Sequence, residues 1–172
     1  MRKIKNLFGL SLIAVMTLAL AGCLIISGTF VIVYDFDLTA QTGFYYYQVD
    51  ITEEEDWEDN KDKIDFIDVV GFEFTIENEN PQAVEFNVYI DEFGTGGGSV
   101  PGTASIIIES LTVPPGTTKF TYAQSLAFLK NVDRLKALVK SGTFDYYGTS
   151  TSNDGDDFHI TTSKVIVTVS AS

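Results

Sequence analysis

Carboxylates are the chemistry this sequence holds in quantity: 24 Asp and Glu stand against 11 Lys and Arg, a formal charge of −13. They concentrate in two places. Glu53, Glu54, Glu55, Asp56, Glu58 and Asp59 crowd one stretch, and Asp154, Asp156 and Asp157 another. Hard oxygen ligands at such density can hold Ca²⁺, and Glu53, Glu54, Asp56, Asp154, Asp156 and Asp157 are the residues that would do so. The ordered spacing of an EF-hand loop is absent. The commoner meaning of the first run is a solvated acidic face at a helix start. The second also reads as an Asn/Asp/Gly turn between strands. No other cofactor is implied.

Aromatics are the second resource. In Phe44-Tyr45-Tyr46-Tyr47, strand alternation puts Phe44 and Tyr46 on one face, Tyr45 and Tyr47 on the other. One pair belongs to a core, and Tyr45 with Tyr47 can instead form a platform for a sugar or a partner. Trp57, set among acids, either pins its segment to the domain or stacks on a ligand. Core and cross-strand packing is the default for all three. Nucleophilic catalysis has little to work with. His159 is the sole histidine, with no G-x-S-x-G elbow or H-E-x-x-H motif beside it, and a site needs a mutually placed set of groups. The glycine-rich run 94–102 lacks the lysine and Ser/Thr of a phosphate-binding loop and reads as a flexible connector. The expectation is therefore a protein that is not an enzyme.

The single cysteine, Cys23, sits at an informative place. Arg2, Lys3 and Lys5 form a basic start, an apolar run follows to Leu20, and Ala21 and Gly22 are small. This is the layout of a secretory signal. Leu20-Ala21-Gly22-Cys23 resembles the lipobox of bacterial lipoproteins. The resemblance implies removal of residues 1–22 as a signal peptide, a diacylglyceryl (palmitate-type) thioether on Cys23 and a membrane anchor. Two alternatives are an ordinary cut after Ala21, which leaves an idle exposed thiol, and an uncut membrane span, which Ser27-Gly28-Thr29 interrupts. Two acyl chains anchor stably where one is marginal. Leu24 stands where an Asp would favour inner-membrane retention in enterobacterial lipoproteins, so the outer membrane is favoured if the source has one. Removing residues 1–22 takes away three basic and no acidic residues, leaving 8 basic against 24 acidic, a formal −16. Such a domain repels nucleic acid and attracts cations or basic partners.

The elements that must position these groups are strands. Period-two alternation runs through residues 29–38, 44–51, 72–77, 84–91, 104–113, 117–122, 143–149 and 158–169, with turn residues between them. About eight such segments predict an all-β antiparallel sandwich of fibronectin/immunoglobulin type, 7–8 strands in one domain over 28–172. Residues 23–27 form a short lipidated tether reaching about 16 Å at roughly 3.3 Å per residue. An acidic insert spans 52–65, with a Thr52/Glu55 capping box starting a short helix to about residue 63. Residues 125–140 predict one helix with Leu129, Val132, Leu135, Leu138 and Val139 on one face, Ser125 as cap and Gly142 as terminator.

From residue 69 onward the order of features resembles the WHy domain of late-embryogenesis-abundant proteins. An apolar strand leads into Asn78-Glu79-Asn80-Pro81, a second strand follows over 84–90, and Pro114-Pro115-Gly116 makes a later turn. A leucine-rich helix and the strand starting Gly142-Thr143-Phe144 complete it. The likeness covers about 100 residues. The turn departs from the commoner Asn-Pro-Asn, and the insert 52–65 is foreign to it. The resemblance implies a fibronectin-like sandwich with no enzymatic site. The sequence thus predicts an envelope lipoprotein that is a binding or interaction module for a basic protein, a cation or a glycan. The alternative is a structural or stress-protective envelope protein without a discrete ligand.

Overall fold

The computed structural model describes residues 28–38, 43–152 and 158–171. Eight strands form: β1 Gly28–Leu38, β2 Phe44–Asp50, β3 Ile64–Asn78, β4 Val84–Glu92, β5 Ser105–Val113, β6 Gly116–Phe120, β7 Thr143–Ser150 and β8 Phe158–Ala171. Three short helices occupy two of the connections: α1 Glu55–Glu58, α2 Tyr122–Phe128 and α3 Val132–Ser141. The strands lie where the alternation is. In β4, Val84, Phe86, Val88 and Ile90 are buried while Glu85 is exposed. A fully buried Ile or Phe of this kind contributes about 1.5–3 kcal/mol.

Two four-stranded sheets pack face to face, in the orders β1-β8-β3-β6 and β2-β7-β4-β5. All pairings are antiparallel, and the pairs β1 with β8, β2 with β7, β3 with β6 and β4 with β5 are nested. The chain is thus one long hairpin rolled on itself, which is a jelly roll. The expected all-β antiparallel sandwich of eight strands is the fold. Its connectivity is finer information, and it is not the ABED/CFG order of immunoglobulin sandwiches. Alternation reports which face of a strand is apolar and is silent on which strand lies beside it.

The register defines two ends. Gly28, Ile64 and Ala171 meet at one, here the lower end, where Asp50 also pairs with Thr143. Asn78, Phe158 and Gly116 meet at the other, the upper end, with Val84 paired to Val113. The insert after β2 and the helices before β7 therefore belong to the lower end. The turns after β3, β5 and β7 belong to the upper end.

Three local expectations are corrected. The acidic insert is no continuous helix. It is a 3₁₀ turn Ile51–Glu53, the single turn α1 and a second 3₁₀ turn Lys61–Lys63, with β3 starting at Ile64. The Thr52/Glu55 capping box does not form, because Asp50 Oδ1 accepts from Thr52 N at 3.0 Å and Glu54 precedes α1 without a side-chain cap. Next, the helix expected over 125–140 is two helices. Thr121 and Gln124 form the capping box that starts α2, and Asn131 turns left-handed (φ 49°) between α2 and α3. The break lies against the edge of β5. Lys130 N donates to Ile107 O at 2.8 Å, and Asn131 Nδ2 donates to Ile106 O at 2.7 Å. Covering an edge strand outweighs continuing one helix. Ser125 is no cap; its Oγ accepts from Phe72 N at 3.0 Å, so α2 continues the edge of β3 where β6 stops. Gly142 does end α3, at φ 84°. The third correction concerns the glycine-rich run and follows from the site it covers.

Candidate functional site

The densest buried polar cluster of the described residues lies on the outer face of the β2-β7-β4-β5 sheet. Asp145 and Tyr147 point outward from β7, Tyr46 and Gln48 from β2, and Asp91 from β4. Outward residues of a sandwich are normally wet, yet Asp145 and Tyr147 are fully buried and Asp91 nearly so. The cover is the run after β4. Thr95 N and Gly96 N donate to Asp145 Oδ2 at 2.8 and 3.3 Å, and Tyr147 Oη donates to Gly96 O at 2.9 Å. Gly97 lies against the Tyr46 ring so closely that a Cβ there would overlap it. Thr103 Oγ1 donates to Asp91 Oδ2 at 2.5 Å and ties down the far side of the run. The sequence-based connector is thus a docked loop. Its glycines allow backbone to lie flat on aromatic rings.

This cluster holds the loop and has no capacity left for a ligand. Asp145 Oδ1 faces Tyr46 Oη at 3.2 Å and Gln48 Nε2 at 3.4 Å. Oδ2 faces Thr95 N, Gly96 N and, at 3.2 Å, Tyr147 Oη. Tyr147 gives its one proton to Gly96 O, so four donors (the Tyr46 phenol, the Gln48 amide and two loop N–H groups) meet a carboxylate that offers about four lone-pair sites. Burial pushes the Tyr147 and Tyr46 phenols up, and the charge of Asp145 pushes them further. Arg134 approaches Asp91 at 3.8 Å and Glu92 at 3.2 Å, so a cation partly balances the buried acids.

The aromatic candidates go mostly to the core. Tyr45 is 5% exposed, stacks on Phe86 at 5.7 Å between ring centroids and lies over Gly148, where a Cβ would collide with its ring. Its Oη is buried with no hydrogen-bond partner. Tyr47 is half-buried against the core, its Oη 3.5 Å from that of Tyr34. Trp57 is 4% exposed, beside Gly142. Core packing, the default reading, is where Tyr45 and Trp57 go, and the alternative platform of Tyr45, Tyr47 and Trp57 does not form, because β2 turns Tyr45 and Tyr47 inward and leaves Phe44 and Tyr46 outward. Trp57 does line a cleft of about 280 Å³ at the lower end, with Thr52, Lys61, Lys140 and Ser141. That is just below the usual size of small-molecule pockets.

Among the metal candidates, Glu53 is exposed and Glu54 half-buried. Among the described residues no three His, Cys, Asp or Glu side chains converge as a metal site would require. Asp154, Asp156 and Asp157 lie outside the described residues, as does Cys23. Ser152 and Phe158, which flank the three aspartates in sequence, stand at the upper end, and the 53–59 run stands at the lower.

The upper end is knitted together by Asn78, 1% exposed. Asn78 Nδ2 donates to Gln82 O and Val113 O at 3.1 and 3.0 Å, and Oδ1 accepts from Asn80 N and Nδ2 at 3.1 and 3.0 Å. Asn80 Nδ2 also donates to Ser152 Oγ at 3.1 Å. Three turns thereby form one pre-set surface that exposes Glu79, Pro81, Gln82, Pro114 and Pro115. The sequence marked the Asn-Glu-Asn-Pro turn and missed that its two asparagines join two further connections, Asn78 at Val113 and Asn80 at Ser152. It also missed Asp145, Asp91 and Tyr147. The one available signal was length: a hairpin connection needs 2–5 residues, and the run from β4 to β5 is longer.

No family model and no curated protein matches this chain. Solved structures that it is similar to include viral ones. A chain of the T13 IBDV viral particle matches at 12% identity and TM-score 0.41, over 82% of this chain and 31% of that one. Desmodium yellow mottle tymovirus matches at 10% and 0.32, over 84% and 88%. Turnip yellow mosaic virus matches at 11% and 0.31, over 84% and 80%. This chain spans about a third of the IBDV chain. At these scores nothing is carried across from them.

Proposed function

We propose that this is an exported lipoprotein, held on the bacterial cell membrane through acylated Cys23, whose sandwich is a non-enzymatic binding module. The outer membrane is the expected site where the source has one. The observation that carries this reading is the path of the chain. β1 begins at Gly28, five residues past Cys23, at the lower end. A tether of that length spans about 16 Å and keeps the lower end at the lipid. The surface pre-set by Asn78 and Asn80 is then the one turned toward partners. Its backbone is already ordered, which lowers the entropic cost of binding.

The anchor is tested by metabolic labelling with a fatty-acid probe: the wild type takes the label and Cys23→Ser does not. The binding surface is tested with a photoreactive residue at Gln82 in intact cells. An adduct at Gln82, and none at Glu85 on the adjoining strand, supports a partner at the upper end. No adduct at either favours the structural, ligand-free reading. A thermal melting point unmoved by millimolar Ca²⁺ removes the cation as that partner, because a ligand of the folded state raises the midpoint.

A further inference from the structure

The outer face of the β1-β8-β3-β6 sheet divides sharply by charge. Its upper half carries Glu73, paired with Lys119 at 3.0 Å, together with Lys164 and Glu77. In its lower half the cross-strand rows are Val33, Ile166 and Gly71, then Val31, Thr168 and Val69. Phe66 stands beside the lowest row, opposite Ser170. Val31 is 52%, Val33 41% and Phe66 70% exposed. Tyr122 of α2 lies over Gly71, and Leu126, one turn further on the same helix face, is 44% exposed. The only acid in this region of the three strands whose side chain is described is Asp68, which accepts from Ser170 Oγ at 2.5 Å. Lys140 lies 5.9 Å from the centre of the Phe66 ring.

We infer that this half-face rests on the bilayer, as a second membrane contact beside the lipid anchor. The inference rests on the anchor proposed above. Three features select lipid as the occupant. The patch includes β1 residues three and five positions past Gly28, so at roughly 3.3 Å per residue Val31 and Val33 lie within about 26 and 33 Å of the acylated cysteine. Next, the rim supplies Lys140 over an exposed aromatic ring, the pairing that suits the headgroup boundary. Finally, an end-on stance is disfavoured: Glu53, Glu55, Glu58 and Asp59 are exposed at the lower end and repel anionic headgroups. Glu73 and Lys164 stand four residues along their strands from the Val31 row, about 13 Å at roughly 3.3 Å per residue, which exceeds a screening length of about 8 Å. The molecule therefore leans, with the apolar half-face down, Asp68 hydrogen-bonded to Ser170 within it, and the acidic insert turned aside.

The test uses the full-length, lipidated protein reconstituted in phosphatidylcholine vesicles. In that protein the Cys23 sulfur is a thioether, so an introduced cysteine is the sole thiol. Val31→Cys, Phe66→Cys and, at the upper end, Gln82→Cys each carry an environment-sensitive fluorophore. Nitroxide-bearing lipid should quench the labels at 31 and 66 and shift their emission to the blue, with neither effect at 82. Equal, water-like emission at all three sites in protein that floats with vesicles overturns the contact and leaves the anchor standing. Emission at 31 and 66 that is blue-shifted but unquenched by lipid, and fades as the protein is diluted among vesicles, assigns the face to a second copy and likewise overturns it. Wild-type protein that takes a thiol label and fails to float defeats the anchor, and the contact with it.

Discussion

On the outer face of β2-β7-β4-β5 an aspartate and a tyrosine are sealed from water under a glycine-rich loop. On the outer face of β1-β8-β3-β6, Val31, Val33 and Phe66 stand in the open. Each arrangement inverts the usual preference, which buries apolar side chains and wets polar ones. The difference lies in the connections. The link from β4 to β5 is long enough to fold back over its sheet, and Asp145 and Tyr147 supply the hydrogen bonds that its backbone would otherwise take from water. On the other sheet α2 extends the edge of β3 and covers only the surface around Gly71. A covered face is a matter of stability, and an uncovered apolar face is a matter of what else touches it.

The sharpest way to break the contrast is Asp145→Ala. It strips the acceptor from two loop N–H groups, the Tyr46 phenol and the Gln48 amide, and a loss of about 3 kcal/mol is expected in urea unfolding. A loss under about 1 kcal/mol would mean that the loop stays shut without the aspartate, and the two faces would differ less than their burial implies.

Alkali tests the cover from another side. Burial raises the phenol pKa of Tyr45 and Tyr146 in the core, and burial with the Asp145 charge raises those of Tyr46 and Tyr147. In the unfolded chain these phenols ionise near the ordinary value of about 10. The folded state then binds more protons than the unfolded state, so the contribution is complete below about pH 10 and is lost as pH rises past it. Phenolate absorbance should therefore appear together with unfolding. Early, reversible ionisation of several tyrosines before any unfolding would show that the loop opens freely.

Two smaller effects complete the comparison. Gly97→Ala pushes a methyl against Cγ, Cδ1 and Cε1 of the Tyr46 ring, and the loop or the ring must give way, so about 1–2 kcal/mol should be lost in the same assay. Phe66→Ser on the bare face should change the stability of the detergent-solubilised protein by no more than about 0.5 kcal/mol. A larger loss for Phe66→Ser than for Gly97→Ala would reverse the assignment of which face is structural.

Much of the strand layout was legible because alternation is local. The segments at 84–91, 143–149 and 158–169 match β4, β7 and β8 to within about two residues. The long helix was misread for an equally physical reason. The apolar spacing from Leu129 to Val139 fits one helix, but the backbone at Lys130 and Asn131 is used to cap the β5 edge. The acidic insert failed likewise. Asp50, the last residue of β2, accepts from the Thr52 amide that the Glu55 side chain would accept from in a capping box. Of the candidate residues, Trp57 is buried as its pinning role requires, while alternation left open which aromatic pair of 44–47 is core, and only burial could decide for Tyr45.

By itself the sequence determined the class of the fold, the apolar face of most strands, the acidic balance and a lone cysteine placed like a lipidation site. Those are properties of composition and of spacing within about ten residues. Tertiary structure alone decided the nested strand order, the upper and lower ends, the sealing of Asp145 and the exposure of Phe66. Each depends on which distant segments meet, and in a rolled hairpin the first strand pairs with the last, a contact that no local pattern encodes.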